Sequence, residues 1–478
     1  MMRKVILVPD SFKGTMSSAE ICGVMAPAVR RWAPAAQIVS VPVADGGEGS
    51  ADAFLAALGG RRPAVRVAGP WGAPVDAFYA LLPDGTAVVE MAAAAGLPLA
   101  GPHPDAGRTT TFGVGQLMDA ALAQGAKKIL LALGGSATND GGCGAAAALG
   151  AQFFDAAGRP FVPVGDTLEQ IAAVRTQALQ KRLAGVPVVA MCDIDNPLCG
   201  ENGAAAVFGP QKGAGPAEVA RLDAGLAHLA AVLARDLGCE ILALPGAGAA
   251  GGMGGGAAAF FGARLQPGIG AVLDTVGFDG LLAGADLVLT GEGRLDTQSL
   301  RGKVVLGVAA RARRAGVPVI AVVGDIGPDI EPVYDAGVIG VFSTNRAALP
   351  WEQARPRAKS DLALTMDNLM RLLARTGLGA QAKRKEGDTM EFTLEENRIF
   401  YAENGRTLAW ITFPARGEGV VTIDHTFVDE SLRGRGVAAA MTARLADELA
   451  RTGRRAVLVC PYAKKWWAAH PERADLLA

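Results

Sequence analysis

Charge of a dominant sign is absent from this sequence: 46 Lys and Arg stand against 47 Asp and Glu, for a formal net charge of −1. No global field draws a nucleic acid or an anionic membrane to such a chain, so neither is expected as a partner. Cysteine is scarce as well. Cys22, Cys143, Cys192, Cys199, Cys239 and Cys460 are scattered, and the nearest pair, Cys192 and Cys199, lacks the short spacing and second pair of a zinc site. No disulfide framework is expected at this size. Aromatic residues make up only 5%, against 50% hydrophobic residues and 63 glycines, so the cores must be built mainly from Ala, Val and Leu between many backbone turns, an α/β profile. Long apolar runs are missing. Val5 to Val8 is too short for a signal peptide, and Ile241 to Ala263 is mostly glycine and alanine, without the Leu, Ile and Phe density of a membrane span. The cytoplasm is the expected location. His103 and His228 have no partner at metal-ligand spacing and are read as structural. With 478 residues the chain suits about two to four domains.

What the sequence does have is one pattern, repeated. Its fullest form is Leu131 to Gly144, LALGGSATNDGGCG. Lys128 to Leu133 reads as a buried parallel strand that runs into paired glycines, the hydroxyls of Ser136 and Thr138, the amide of Asn139, the carboxylate of Asp140, and glycines again from Gly141. Glycines at a strand-to-helix turn admit positive φ and present bare N–H groups to anionic oxygens, and the helix start adds partial positive charge, so phosphate is the natural guest. A carboxylate inside such a nest would repel phosphate unless it held a cation, which points to Mg²⁺. A tight turn with an Asn or Asp helix cap is the plainer alternative.

Repetition weighs against that alternative. Val5 to Val8 ends at Asp10 and Lys13, ahead of helical spacing from Thr15 to Arg31. Gln37 to Val43 ends at Asp45-Gly46-Gly47-Glu48, and Pro187 to Met191 ends at Asp193 and Asn196, with Lys212 following in a Gly/Pro loop. Ala285 to Thr290 ends at Glu292, Arg294 and Asp296. Ligands of parallel α/β sheets sit at the carboxyl ends of strands. A lysine there offers a point charge to phosphate or carboxylate, and a carboxylate can hold a metal or accept a hydroxyl proton. Strand ends of this kind, converging, describe a site for Mg²⁺, polyphosphate and a small polar acceptor. Two glycine motifs are weaker. Gly302-Lys303 is no P-loop, because Val304 stands where Ser or Thr must ligate Mg²⁺. Gly246 to Gly251, with Asp274 downstream, matches a dinucleotide fingerprint and keeps an NAD(P)-dependent dehydrogenase as a rival, although no clear second strand lies between them.

The motifs DSFKG, ADGGEG, GGSATNDGG, CDxDNPLCG, GPQKG, GAGAAGG and GEGRLDTQ, in this order from Asp10 to Gln298, resemble the type I glycerate kinase family over about residues 3–375. The resemblance implies two α/β lobes with parallel sheets, a Rossmann- or flavodoxin-like lobe and an inserted α/β lobe, and ATP-dependent phosphorylation of glycerate, usually to 2-phosphoglycerate. A kinase giving 3-phosphoglycerate, or one acting on another small hydroxy acid, is the neighbouring alternative, and a homodimer is compatible with the family. In-line phosphoryl transfer needs charge neutralisation, positioning and a proton acceptor. Mg²⁺ is assigned to some of Asp45, Glu48, Asp193 and Glu292. Phosphates are assigned to the Ser136 to Gly142 nest, which includes Thr138, Asn139, Asp140 and Gly141, with Lys13 or Lys212. Asp10 or Asp193 is the base, the glycerate carboxylate goes to Arg294, Lys212 or backbone donors, and Asn196 and Asp296 join the binding set.

Beyond residue 375 the composition changes. Residues 376–389 are small, charged and without periodicity, which reads as a linker. From Met390 the apolar residues alternate as in antiparallel strands, and a helix is expected from Ala439 to Thr452. Arg433, Gly434, Arg435, Gly436 and Ala438 fit the turn with which GNAT acetyltransferases hold the CoA pyrophosphate, and about residues 390–471 resemble the short members of that family, which implies a small α+β domain over 390–478. The resemblance implies acetyl-CoA or CoA as cofactor, with Cys460 or Tyr462 near the thioester. A non-catalytic appendage is the alternative.

Overall fold

The computed structural model describes residues 2–43, 46–47, 49–297, 299, 303–376, 392–403, 405–432 and 436–478. The chain divides into two compact units, Met1–Ala382 and Lys383–Ala478. Apart from Thr376, the expected linker lies outside the described residues.

The first unit opens with β1 (Lys4–Pro9), whose Val5, Ile6, Leu7 and Val8 are all fully buried, as a strand covered on both faces requires. Helix α1 (Ser18–Trp32) follows. Its start is fixed by a reciprocal cap between Ser17 and Glu20, its last turn carries Arg30 and Arg31, and one face buries Ile21, Cys22, Met25 and Val29. After β2 (Gln37–Ser40) the chain leaves this sheet and builds a second one from β3 (Ala80–Leu81), β4 (Thr86–Glu90), β5 (Lys128–Ala132), β6 (Val188–Met191) and β7 (Arg264–Gln266). It then returns with β8 (Leu287–Gly291), β9 (Val319–Val323) and β10 (Val338–Ser343) and closes on a long helix, Ala358–Thr376, packed against α1.

The first sheet is wholly parallel, in the order β10-β9-β8-β1-β2, with Val5 beside Leu287 on one side and Ile38 on the other. The order reverses between β1 and β8, so a crevice opens above their carboxyl ends. The inserted sheet runs β7-β6-β5-β4-β3, parallel except for the antiparallel edge strand β3. One apolar cluster joins the two sheets, with Ile6, Val8 and Val288 from the first and Val88, Leu130 and Val189 from the second. The expected two-lobed α/β architecture, one lobe inserted in the other, is what the chain adopts.

The dinucleotide fingerprint lacks its strand. Residues 241–248 are coil and turn, and Gly246 to Gly251 lead into helix α2 (Ala249–Phe261), whose Ala250, Gly251 and Gly252 have φ of 53°, 67° and 89°. A Cβ on Gly251 would stand 1.9 Å from the Thr138 carbonyl oxygen. Glycine is there because two backbones touch, and the dehydrogenase rival loses its motif.

The second unit has its own core, in which Ile399, Ile411, Phe413, Ile423, Leu445, Leu449 and Trp467 are buried. Strand β11 (Arg398–Glu403) pairs antiparallel with β12 (Arg406–Thr412). Strand β13 (Val420–Ile423) pairs parallel with β15 (Arg455–Leu458), while its continuation β14 (His425–Val428) pairs with β12 instead. A helix, Val437–Thr452, follows the cap residue Gly436 and begins two residues earlier than the apolar spacing predicts.

Candidate active site

Asp10 follows the last residue of β1, its N–H donating to the Gly291 carbonyl across the switch point at 2.8 Å. Its carboxylate is nearly buried and accepts the Ser11 N–H at 2.7 Å. Two cavities meet here, and Asp10, Ser11 and Lys13 line both. The first, about 620 Å³, lies over the β1/β8 crevice and adds Glu292, Arg294, Asp296, Lys303, Trp351 and Arg355. The second, about 600 Å³, adds Gly46, Gly47, Gly134, Gly135, Ser136, Asp193, Gln211 and Lys212 from the loops of both sheets.

Lys212 is buried in the wall of the second cavity, donating to Ser136 Oγ at 2.9 Å and to the Thr138 carbonyl at 2.7 Å. Burial brings its ammonium down to about 7, and the Asp140 carboxylate opposes the shift. The glycine nest divides at this point. Gly134, Gly135 and Ser136 face the cavity, but Thr138, Asn139, Asp140 and Gly141, expected to contact substrate, are buried and line neither cavity. Asp140 accepts the N–H groups of Thr111, Gly142 and Gly144 and the Thr111 hydroxyl. It ties the turn together from behind instead of holding a cation within it. The Gly141 N–H goes to the Gly251 carbonyl at 3.1 Å. Thr138 Oγ1 and both amide atoms of Asn139 are buried without a partner. Asn196 also lines neither cavity; its amide closes a turn onto the Asn202 carbonyl.

The carboxylates are unequal. Asp193 lines the second cavity while its Oδ1 accepts the Gly268 N–H at 2.7 Å, capping helix α3 (Gly268–Thr275). Glu292 lies in the first cavity with Oε1 buried and unpartnered. Burial raises its carboxyl to about 7, against the hydrogen bond from Ser299 and with help from the Asp10 charge. Arg294 reaches Asp296 at 3.5 Å and Asp325 at 3.9 Å, so it is engaged on the cavity wall. Asp45 and Glu48 lie outside the described residues. Among the described residues no three His, Cys, Asp or Glu side chains are grouped to enclose a metal. Mg²⁺ needs no such cage, since it is commonly held by one or two carboxylates together with substrate phosphates and water, and the unpartnered Glu292 oxygen fits that demand. Lys303, Trp351 and Arg355 were not expected in the site. The only hint of the last two is their spacing in Trp-Glu-Gln-Ala-Arg, one helical turn apart.

In the second unit, Gly436 has φ 74° at the start of the helix and Ala438 lies in its first turn, while Arg433, Gly434 and Arg435 lie outside the described residues. The N–H groups of Val459 and Cys460 both donate to the Ile423 carbonyl, beyond which β14 turns to the other sheet. Cys460 is buried with Sγ 3.5 Å from Thr426 Oγ1, and Tyr462 is partly exposed.

A doubly wound parallel sheet, an inserted α/β lobe and two cavities lined by lysines, carboxylates and glycine turns define a two-lobed α/β enzyme. The glycerate kinase family model matches residues 5–374, and the chain belongs to that family. It is 41% identical to a glycerate kinase of Halalkalibacterium halodurans over 373 residues, covering 77% of this chain and 97% of the relative. It is 40% identical to the glycerate 2-kinase of Escherichia coli K12 over 373 residues, 78% of this chain and 98% of the relative. A crystal structure from Salmonella typhimurium LT2 with the designation glycerate kinase 2 is 41% identical and superposes with a TM-score of 0.72 over 79% of this chain and 100% of that one. Residues 398–476 match the GCN5-related N-acetyltransferase family.

Proposed function

We propose that the first unit transfers the γ-phosphoryl group of ATP to the 2-hydroxyl of glycerate, giving 2-phosphoglycerate. The observation that carries this is the meeting of two cavities on Asp10, Ser11 and Lys13, one for each reactant, so that donor and acceptor face each other across a lysine and a carboxylate. Transfer of this kind depends on alignment and charge neutralisation more than on covalent chemistry by the protein. Lys13 neutralises the moving phosphoryl group, and Asp10 orients the acceptor hydroxyl and takes its proton. Lys212 with the Gly134 to Ser136 turn cradles an anionic group, and Asp193 keeps the second cavity's edge charged. Mg²⁺, held by Glu292 and Asp10 or Asp193, would supply charge compensation for the polyphosphate. The test is a phosphorus spectrum of the product formed from glycerate, ATP and Mg²⁺. A 2-phosphoglycerate resonance is expected; a 3-phosphoglycerate resonance overturns the position of transfer, and no phosphoester overturns the kinase.

The second unit, on the same footing, binds acetyl-CoA. Support comes from the left-handed Gly436 at a helix start and from the parting of β13 and β14 beside Cys460, which leaves backbone groups for an extended thiol arm. Calorimetric titration of acetyl-CoA into the full chain should show one site, lost in Gly436→Val, because a β-branched residue resists positive φ and obstructs an anion at the turn.

A further inference from the structure

We propose that the first cavity is the nucleotide pocket and that Trp351 is the face on which the purine base stacks, an inference that rests on the kinase reading above. This cavity opens where the strand order of the doubly wound sheet reverses, the place where such sheets receive ligands. At about 620 Å³ it admits a nucleotide, but the second cavity, at about 600 Å³, is of the same size, so the assignment rests on the lining. Trp351 lines the first cavity and is more than half exposed, at 55%. One edge of the indole, Cζ2, comes within 3.5 Å of where a Cβ on Gly14 would stand, so the ring lies over the turn that follows Lys13.

 An indole face left this open on a cavity wall is a platform for a flat ring.

The cations of the cavity suit the rest of the nucleotide. Arg355 stands one helical turn beyond Trp351, Lys303 precedes the eleven-residue helix α4 (Val304–Arg314), and Lys13 sits where the two cavities join. They offer positive charge to a polyphosphate, and the helix start adds its dipole. The acids on the same wall are largely engaged: Asp296 and Asp325 by Arg294, and Asp361 by Arg357 at 3.3 Å. The second cavity, with Lys212 and Ser136 buried in its wall, is left for the small acid.

The test compares the full-length wild type with Trp351→Ala and Trp351→Phe, using ADP and inorganic tripolyphosphate as calorimetric probes and steady-state KM for ATP and glycerate. Loss of base stacking should weaken ADP binding and raise the KM for ATP by about five- to hundredfold in Trp351→Ala. Tripolyphosphate affinity and the KM for glycerate should hold, and Trp351→Phe should retain most of the ADP affinity. Held tripolyphosphate affinity also certifies that the variant is folded. Unchanged ADP affinity in Trp351→Ala, or a rise in the KM for glycerate in its place, overturns the inference while the kinase stands. A wild type that neither binds ADP nor phosphorylates glycerate overturns both.

Discussion

Lys212 shows how one buried residue ties stability and chemistry to pH. Its ammonium titrates near 7 in the fold because burial strips it of water, against an ordinary value of 10.5. Between those values the unfolded chain carries a proton that the folded chain has shed, so stability is gained as pH rises through the window and lost as pH falls toward 7. In the anion-holding role proposed for Lys212, catalysis runs the other way, because only the charged form can hold an anion. The wild-type kcat/KM should therefore fall on the alkaline side with an apparent pKa near 7, and kcat should fall at higher pH because a bound anion retains the proton. Lys212→Arg should shift the limb upward, since a guanidinium keeps its charge. A flat profile up to about pH 9 would show that Lys212 serves the fold alone. Asp193 separates the two roles by another route. Asn at this position can still accept the Gly268 N–H, so Asp193→Asn should melt like the wild type while kcat drops by about 10²- to 10⁴-fold. A rate within a few-fold of wild type would leave Asp193 as a helix cap only.

At the scale of elements, the strands and the loops after them were legible because a parallel strand covered on both faces must be a short apolar run, and a functional turn after it must contain glycine and polar groups. Asp10, Lys13, Asp193, Lys212, Glu292, Arg294 and Asp296 all reach a cavity for that reason. The inward half of the central loop was not legible. Nothing local says that Thr138 to Gly141 is covered by Gly251, about a hundred residues later, or that Asp140 turns its carboxylate toward Thr111. Trp351 and Arg355 escaped notice because their place in the site is set by where their segment returns to the β1/β8 crevice. The Gly251 contact is testable. Gly251→Ala must bear a left-handed φ and push the Thr138 carbonyl away, and it should cost about 3 kcal/mol or more in urea unfolding. A midpoint equal to wild type would mean that the contact relaxes freely.

For the whole molecule, the question is whether the fused units need each other. Each has a separate buried cluster, the second built on Ile399, Ile411, Phe413 and Trp467 and the first on the two parallel sheets, so each unit carries a core of its own. Both cavities are lined by residues of the first unit alone. A chain ending near Lys383 should therefore remain soluble and phosphorylate glycerate with the kcat and KM of the full protein, and its melting temperature should match the first transition of the full chain. The reverse experiment adds a constraint: acetyl-CoA at saturation should leave glycerate kinetics of the full chain unchanged, because coupling between sites requires a shared element with two arrangements. If truncation abolishes soluble protein or shifts the KM for glycerate, the second unit supports the kinase directly. In that case its retention in one chain is explained by packing, with no second chemistry required.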